Sequence, residues 1–335
     1  MTMTLRRTFF ELSGEHPTLP SAEAVALFEA YEQGDADAVF GPGYVIASLD
    51  EKLLDVLESR LALTHRFGRY LGSCAQEDLK GFATELELPP GSVSVRTRRF
   101  GGAAGPDASL DAVRKVSEIV TVGRKVDLAR ADVQLRILMS DQLHFFISDR
   151  VIDRDQYEER HVRSRPFFSP ISLHPRYART LVNLTRAKEG MTLLDPFCGT
   201  GGILLEAALM GIRAIGSDLA PEMIKGCRTN LAHFGAKAEA LERADIGEIP
   251  FLFGKVDAVA TDPPYGRSAS TMKEPAKELH LRALDSISEV LTAGSRAGVV
   301  LPWECTGHAA LDLEERHAQR VHRSLTRHYC VFRRL

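Results

Sequence analysis

The chain has 335 residues, 44% of them hydrophobic, which is enough for two or three compact units with real cores. A net charge of -3 and a pI near 6.4 exclude a globally basic nucleic-acid binder, so any such role must rest on local patches. Cys74, Cys198, Cys227, Cys305 and Cys330 are far apart with no C-x-x-C spacing, which argues for a reduced cytoplasmic protein without structural zinc. The short apolar run at the N-terminus is interrupted by Arg6, Arg7 and Glu11 and is neither a signal peptide nor a membrane span.

In chain order, a strand is expected over 5–12, then turns at His16-Pro17 and Leu19-Pro20 and a helix of period 3.6 over 21–33. A β-branched strand over 44–49 precedes a helix over 51–63 with Leu53, Leu54, Leu57 and Leu61 on one face, a strand over 66–74 and a helix over 75–86 that Pro89-Pro90-Gly91 ends. The stretch 92–100 alternates Val93 and Val95 with Ser94, Arg96 and Arg98, and Arg99 follows, which marks a half-exposed strand with a basic face. After Gly101-Gly102 come a helix over 110–123, the segment Lys125-Val126-Asp127-Leu128, and strands over 133–140 and 143–149. This α+β half has no Cys/His cluster and no nucleophile beside a base, so it reads as a binding region.

The charged segment 151–164 reads as a linker to a second domain over 165–335. From 160 to 188 the chain carries Arg160, Arg163, Arg165, Arg176, Arg179, Arg186 and Lys188 with no acid, and Arg320, Arg323, Arg327, Arg333 and Arg334 form a second such run. Arg96, Arg98, Arg99, Arg163, Arg165, Arg176 and Arg179 are the candidates for phosphate contacts. Arg165-Pro166-Phe167 and His174-Pro175 lead into a helix, which His174 is placed to cap.

A short apolar strand over 191–194 then runs into Asp195-Pro196-Phe197-Cys198-Gly199-Thr200-Gly201-Gly202 and a helix. A glycine-rich turn feeding a helix is a cofactor cradle, because small residues expose backbone N–H groups at the positive helix end. Without Gly-Lys-Ser/Thr it is not a P-loop, and it departs from the dinucleotide fingerprint. Asp218 ends the next strand, placed for a ribose diol, and Asp245 ends a third, placed to read an adenine amine.

The apolar run 256–260 ends in Thr261-Asp262-Pro263-Pro264-Tyr265-Gly266-Arg267-Ser268. An exocyclic base amine is a poor nucleophile, since its lone pair is delocalised into the ring. The Asp262 carboxylate and the Pro263 carbonyl, side by side on a stiff proline loop, offer two acceptors for its N–H groups, and Tyr265 offers a ring for the base to stack on. Asp-Pro-Pro alone equally describes an ordinary turn; the cradle upstream favours chemistry. The chain continues with a helix over 273–291, a strand over 297–301 with Trp303 just beyond it, a helical piece over 309–315, and strands over 319–325 and 328–332 that pair as an antiparallel hairpin.

These residues resemble the class I S-adenosylmethionine-dependent methyltransferases, an α/β Rossmann-like sheet with an antiparallel terminal strand. The resemblance implies that Asp195, Pro196, Phe197, Cys198, Gly199, Thr200 and Gly201, Asp218 with Leu219, and Asp245 with Ile246 bind S-adenosylmethionine. It also implies that Asp262, Pro263, Pro264 and Tyr265 form the amino-methylating loop. The N-terminal region 1–150 resembles a ferredoxin-like piece followed by a THUMP RNA-binding domain. In the order of its parts the chain is similar to the archaeal tRNA guanosine-10 N2-methyltransferases, and the Gly266-Arg267-Ser268 continuation fits that group. The likeness implies tRNA as partner, no metal, no membrane, no obligatory protein partner and a monomer. Methylation of adenine N6 in RNA or DNA, or a non-enzymatic tRNA-binding subunit, stand as alternatives.

Overall fold

The computed structural model describes residues 4–31, 36–101, 106–169, 172–265 and 274–335. They form two units, each built on its own seven-stranded sheet. The first unit runs to Ile152, and the second comprises Asp153 onward together with Val25–Ala30 and Arg60–Ala62.

The first unit contains β1 (Leu5–Leu12), α1 (Leu19–Ala30, whose second half belongs to the other unit), β2 (Val39–Gly41), β3 (Tyr44–Asp50), α2 (Leu54–Arg60), β4 (Thr64–Cys74), α3 (Leu79–Thr84), β5 (Val93–Arg99), α4 (Pro106–Val120), β6 (Val133–Met139) and β7 (Leu143–Val151). Its strands lie in the order β2-β3-β1-β4-β7-β6-β5, antiparallel throughout except for the parallel β5–β6 pair. Alternation along β5 and β6 turns Val93, Val95, Leu135 and Ile137 onto Ala112 and Val116 of α4 and Ala83 of α3. Phe9 of β1 stacks on Phe146 of β7.

The second unit adds α5 (Asp155–Glu159), α6 (Pro175–Leu184), β8 (Thr192–Asp195), α7 (Gly202–Leu209), β9 (Arg213–Asp218), α8 (Pro221–His233), β10 (Ala240–Arg243), α9 (Ile249–Phe253), β11 (Val256–Thr261), α10 (Ala276–Val290), β12 (Leu291–Leu301), β13 (Leu311–His322) and β14 (Leu325–Arg334). The order is β10-β9-β8-β11-β12-β14-β13, with the first five strands parallel and β14 antiparallel to both neighbours. Sequence order reverses between β8 and β11, and in an open α/β sheet a ligand crevice forms beyond the carboxyl ends at such a reversal. Leu194, Val259, Val299, Ile287 and Phe332 fill the core beneath it.

Two expectations are corrected. The segment 309–315 is not helical: Leu311 and Leu313 alternate with Asp312 and Glu314, a period of two, and this stretch opens β13 against β14. The segment 151–164 is not a loose linker. It carries α5, whose Tyr157 is fully buried and donates its hydroxyl to the Leu61 carbonyl at 3.2 Å, and its Arg160 pairs with Glu206 and its Glu158 with Arg176. Among the described residues no helix is long and apolar enough to cross a membrane.

Candidate active site

One hydrogen bond joins the two motifs. Asp195 closes β8 and Thr261 closes β11, and the Thr261 hydroxyl donates to Asp195 Oδ1 at 2.7 Å, with the Phe197 N–H on the same oxygen at 3.2 Å. Burial pushes the Asp195 carboxyl up to about 7, against the pull of these two donors. The loop that follows is tied to β9: Cys198 N–H donates to the Ser217 carbonyl at 2.9 Å, Ser217 Oγ to the Pro196 carbonyl at 3.4 Å, and Gly199 N–H to Asp218 Oδ2 at 2.9 Å. Gly201 enters α7 with φ +84°, and a Cβ there would stand 2.6 Å from Cys227 Sγ, so this position requires glycine twice over.

Asn230 of α8, buried, clamps the approach segment to this loop. Its Oδ1 accepts from Phe167 N–H at 2.9 Å, and its Nδ2 donates to the carbonyls of Phe167 and Thr200, each at 3.0 Å. No local pattern in the sequence marks this residue, since each partner lies tens of positions away.

Asp262 follows β11 and shares a cleft with Ser172, Leu173, Asp195, Phe197, Gly199 and Thr200. Burial pushes its carboxyl up to about 6, opposed by the Arg327 guanidinium of β14, 4.0 Å from Oδ2, and by the Tyr265 hydroxyl, which hydrogen-bonds to Oδ1. The loop is held from behind: His280 of α10 donates from Nε2 to the Pro264 carbonyl at 3.0 Å, and the Trp303 ring lies 4.6 Å from the imidazole. Burial lowers the His280 pKa, opposed by the hydrogen bond to the Pro264 carbonyl. Among the described residues no hydrogen bond engages the Pro263 carbonyl. The Gly266-Arg267-Ser268 continuation lies outside the described residues.

The other acids have structural duties. Asp218 takes the Gly199 N–H on one oxygen and the Ala220 N–H on the other at 2.9 Å, and burial raises its pKa. Asp245 caps the turn Ile246–Glu248 in a reciprocal capping box and pairs with Arg282 at 2.5 Å, which lowers its pKa. It does not line the cleft with Asp262; next to these two acids, Ile246 is buried and Leu219 exposed. His174 caps α6, accepting from Arg176 N–H.

The basic run is corrected in part. Arg165 and Arg179 are buried: Arg179 pairs with Glu206 at 2.8 Å, as does Arg160, and Arg165 donates to the Arg160 carbonyl at 3.1 Å. Arg179 is committed to a buried carboxylate and Arg165, 4% exposed, is turned onto a backbone carbonyl, so neither guanidinium lies at a surface that a phosphate could touch. Arg176 pairs with Glu158 at 3.3 Å and Arg98 with Glu11 at 2.9 Å, whereas Arg163, Arg96 and Arg99 are exposed.

The strand order, the antiparallel β14 and the meeting of a glycine loop with Asp-Pro-Pro-Tyr at one crevice define a class I methyltransferase, a class that uses S-adenosylmethionine. The family model of the RMKL-like methyltransferase domain (UPF0020) matches residues 162–329. The chain is 36% identical to the tRNA (guanine(10)-N2)-dimethyltransferase of Methanothermobacter thermautotrophicus, over 97% of this chain and 98% of that protein. It is 33% identical to the enzyme of the same name from Pyrococcus abyssi, over 96% and 98%. The crystal structure of TrmN from Thermus thermophilus shares the fold, with a TM-score of 0.56 and 24% identity over 98% of this chain and 100% of that one. The chain belongs to the tRNA (guanine(10)-N2)-dimethyltransferase family and is a methyl-transferring enzyme.

Proposed function

We propose that the enzyme methylates N2 of guanosine 10 in tRNA, first to N2-methylguanosine and then, by a second transfer, to N2,N2-dimethylguanosine. The observation that carries the reading is Asp262 in the wall of the cleft that Phe197, Cys198, Gly199 and Thr200 also line. The full-length likeness to two enzymes named for this modification supports the substrate.

The residues present fit S-adenosylmethionine. At Gly199 the nearest atom to an added Cβ is the Phe197 carbonyl oxygen at 4.0 Å, so the loop backbone is open to a ligand. The loop from Asp195 to Gly201 would hold the cofactor, with Asp218 and Leu219 at its ribose and Asp245 and Ile246 at its adenine. When bound, it supplies an electrophilic methyl carbon. Asp262 and the Pro263 carbonyl accept the two N–H groups of the target amine in the first transfer, and Asp262 the one that remains in the second, turning the lone pair out of conjugation; each time the methylated nitrogen sheds a proton to Asp262, which releases it to solvent. The carboxylate offsets the positive charge that develops on nitrogen. The Tyr265 hydroxyl sits on Asp262 Oδ1 beforehand, so entry of the base replaces that bond and releases the ring to stack. The Asp195–Thr261 bond and the His280–Pro264 bond keep loop and cradle in register.

A paired guanosine must leave its stack to reach this loop, which costs about a few kcal/mol. We assign RNA binding to the N-terminal unit, read as a ferredoxin-like piece with a THUMP domain, in a monomeric cytoplasmic enzyme whose macromolecular partner is tRNA. The test is transfer of labelled methyl from S-adenosylmethionine to a tRNA transcript and to the same transcript with adenosine at position 10, followed by mass analysis of the nucleosides. N2-methylated guanosine in the first transcript alone is expected. N6-methyladenosine, or equal incorporation into both, overturns the reading.

A further inference from the structure

One face of the N-terminal sheet holds more positive charge than it neutralises. Arg96 of β5 and Arg136 of β6 stand opposite each other in register on parallel strands, and Arg66 of β4 lines the same pocket together with Ser94 and Gln134. Like charges facing across a strand pair repel unless an anion lies between them. The acid within the cluster is Glu11 of β1, whose side chain is 3% exposed. Its hydrogen bond goes to Arg98 at 2.9 Å, while Arg136 and Arg66 stand off at 3.7 and 4.0 Å. Nε of Arg66 and Nε of Arg136 are buried without a hydrogen-bond partner. The acids of the adjoining turn are engaged elsewhere: Asp127 accepts from Ala129 and Arg130 N–H, and Asp132 from Ser92. Burial lowers the Arg136 pKa, Glu11 opposes the shift, and Arg66, Arg96 and Arg98 add to it.

We propose that this pocket is a phosphate site, in which Arg66, Arg96 and Arg136 grip one phosphate group of the RNA and Ser94 and Gln134 supply neutral polar contacts. Planar guanidiniums lining one space match the oxygens of a phosphate. The inference rests on tRNA being the substrate.

The experiment measures tRNA affinity of the full chain across a salt series for Arg136→Met, Arg66→Met and Arg96→Met, with thermal midpoint and S-adenosylhomocysteine affinity as controls. Methionine keeps the apolar stem, and Arg96 is exposed, its Nη2 donating to the Leu128 carbonyl at 2.7 Å, so its replacement disturbs a surface turn and not the interior. Each variant is expected to weaken tRNA binding by about tenfold or more and to lower the salt slope by about one phosphate's worth, with the controls unchanged. Glu11→Gln, which removes the opposing charge, is expected to lower the thermal midpoint, because Arg98, Arg136 and Arg66 lose their buried partner, and, at a temperature where it stays folded, to tighten binding. If the effect of Arg136→Met vanishes on tRNA stripped of its 5′ phosphate, the ligand is that terminal group; if it persists, the ligand is an internucleotide phosphate. Wild-type affinity and slope in the three arginine variants, or weaker binding by Glu11→Gln, overturns the phosphate site while leaving tRNA methylation intact. A wild-type chain that neither binds nor methylates tRNA overturns both.

Discussion

At the residue scale, the proposed chemistry turns on the Asp262 carboxylate, which burial pushes up to about 6. Asp262→Ala removes one acceptor and the offsetting charge, and should lower kcat by about 10²–10³ with S-adenosylhomocysteine and tRNA affinities nearly unchanged. Loss of less than about tenfold in single-turnover assays would contradict its role. With the Asp262 carboxyl pushed up to about 6, activity should rise with pH through that value, because the ionised form is the stronger acceptor for the N–H group and balances charge. Arg327 holds that value down, so in Arg327→Met the acid limb of the kcat profile should move to higher pH; an unmoved limb would assign it to another group. Asp262 could be singled out from its sequence neighbours, because prolines beside an acid at a strand end describe a stiff acceptor pair. Arg327 and His280 could not, since each meets the loop from an element 16 or more positions away.

At the element scale, the cofactor loop is shaped by contacts that enforce its glycine turn. Gly201→Ala combines a left-handed backbone, about 1–2 kcal/mol for an alanine, with the contact to Cys227 Sγ. Its thermal midpoint and S-adenosylhomocysteine affinity should both fall, and adding Cys227→Ala should recover part of each loss. No recovery in the double variant would show that the thiol is not what crowds the turn. The strand–loop–helix order of this region is visible in the sequence, because its glycines and its apolar run are local. Where local pattern and pairing compete, as over 309–315, the sheet decides: ladder bonds to β14 fix β13 as a strand in a stretch whose spacing also suited a helix.

At the scale of the whole molecule, the second unit is not contiguous in sequence. Arg60, buried, donates to Asn183 Oδ1 from Nε at 3.1 Å and from Nη2 at 2.9 Å, and to the Ala187 carbonyl at 2.9 Å, while Asn183 Nδ2 returns a bond to the Arg60 carbonyl at 3.0 Å. A fragment 153–335 leaves Asn183 without these partners, so it should melt well below the full chain; an equal midpoint by circular dichroism would contradict this. Glu206→Gln leaves Arg160 and Arg179 with uncompensated buried charge and should cost about 3–5 kcal/mol in denaturant unfolding, a loss much larger than for an exposed pair. By itself the sequence determined the methyltransferase class and the order of the motifs and singled out Asp262 as the candidate acceptor, because those depend on residue types within a few positions of one another. Only the tertiary structure decided which arginines are spoken for, which early segments belong to the catalytic unit, and that Asp195 and Thr261 bind the two motifs together. Those choices rest on contacts between residues 20 to more than 100 positions apart, whose burial and pairing no local spacing encodes.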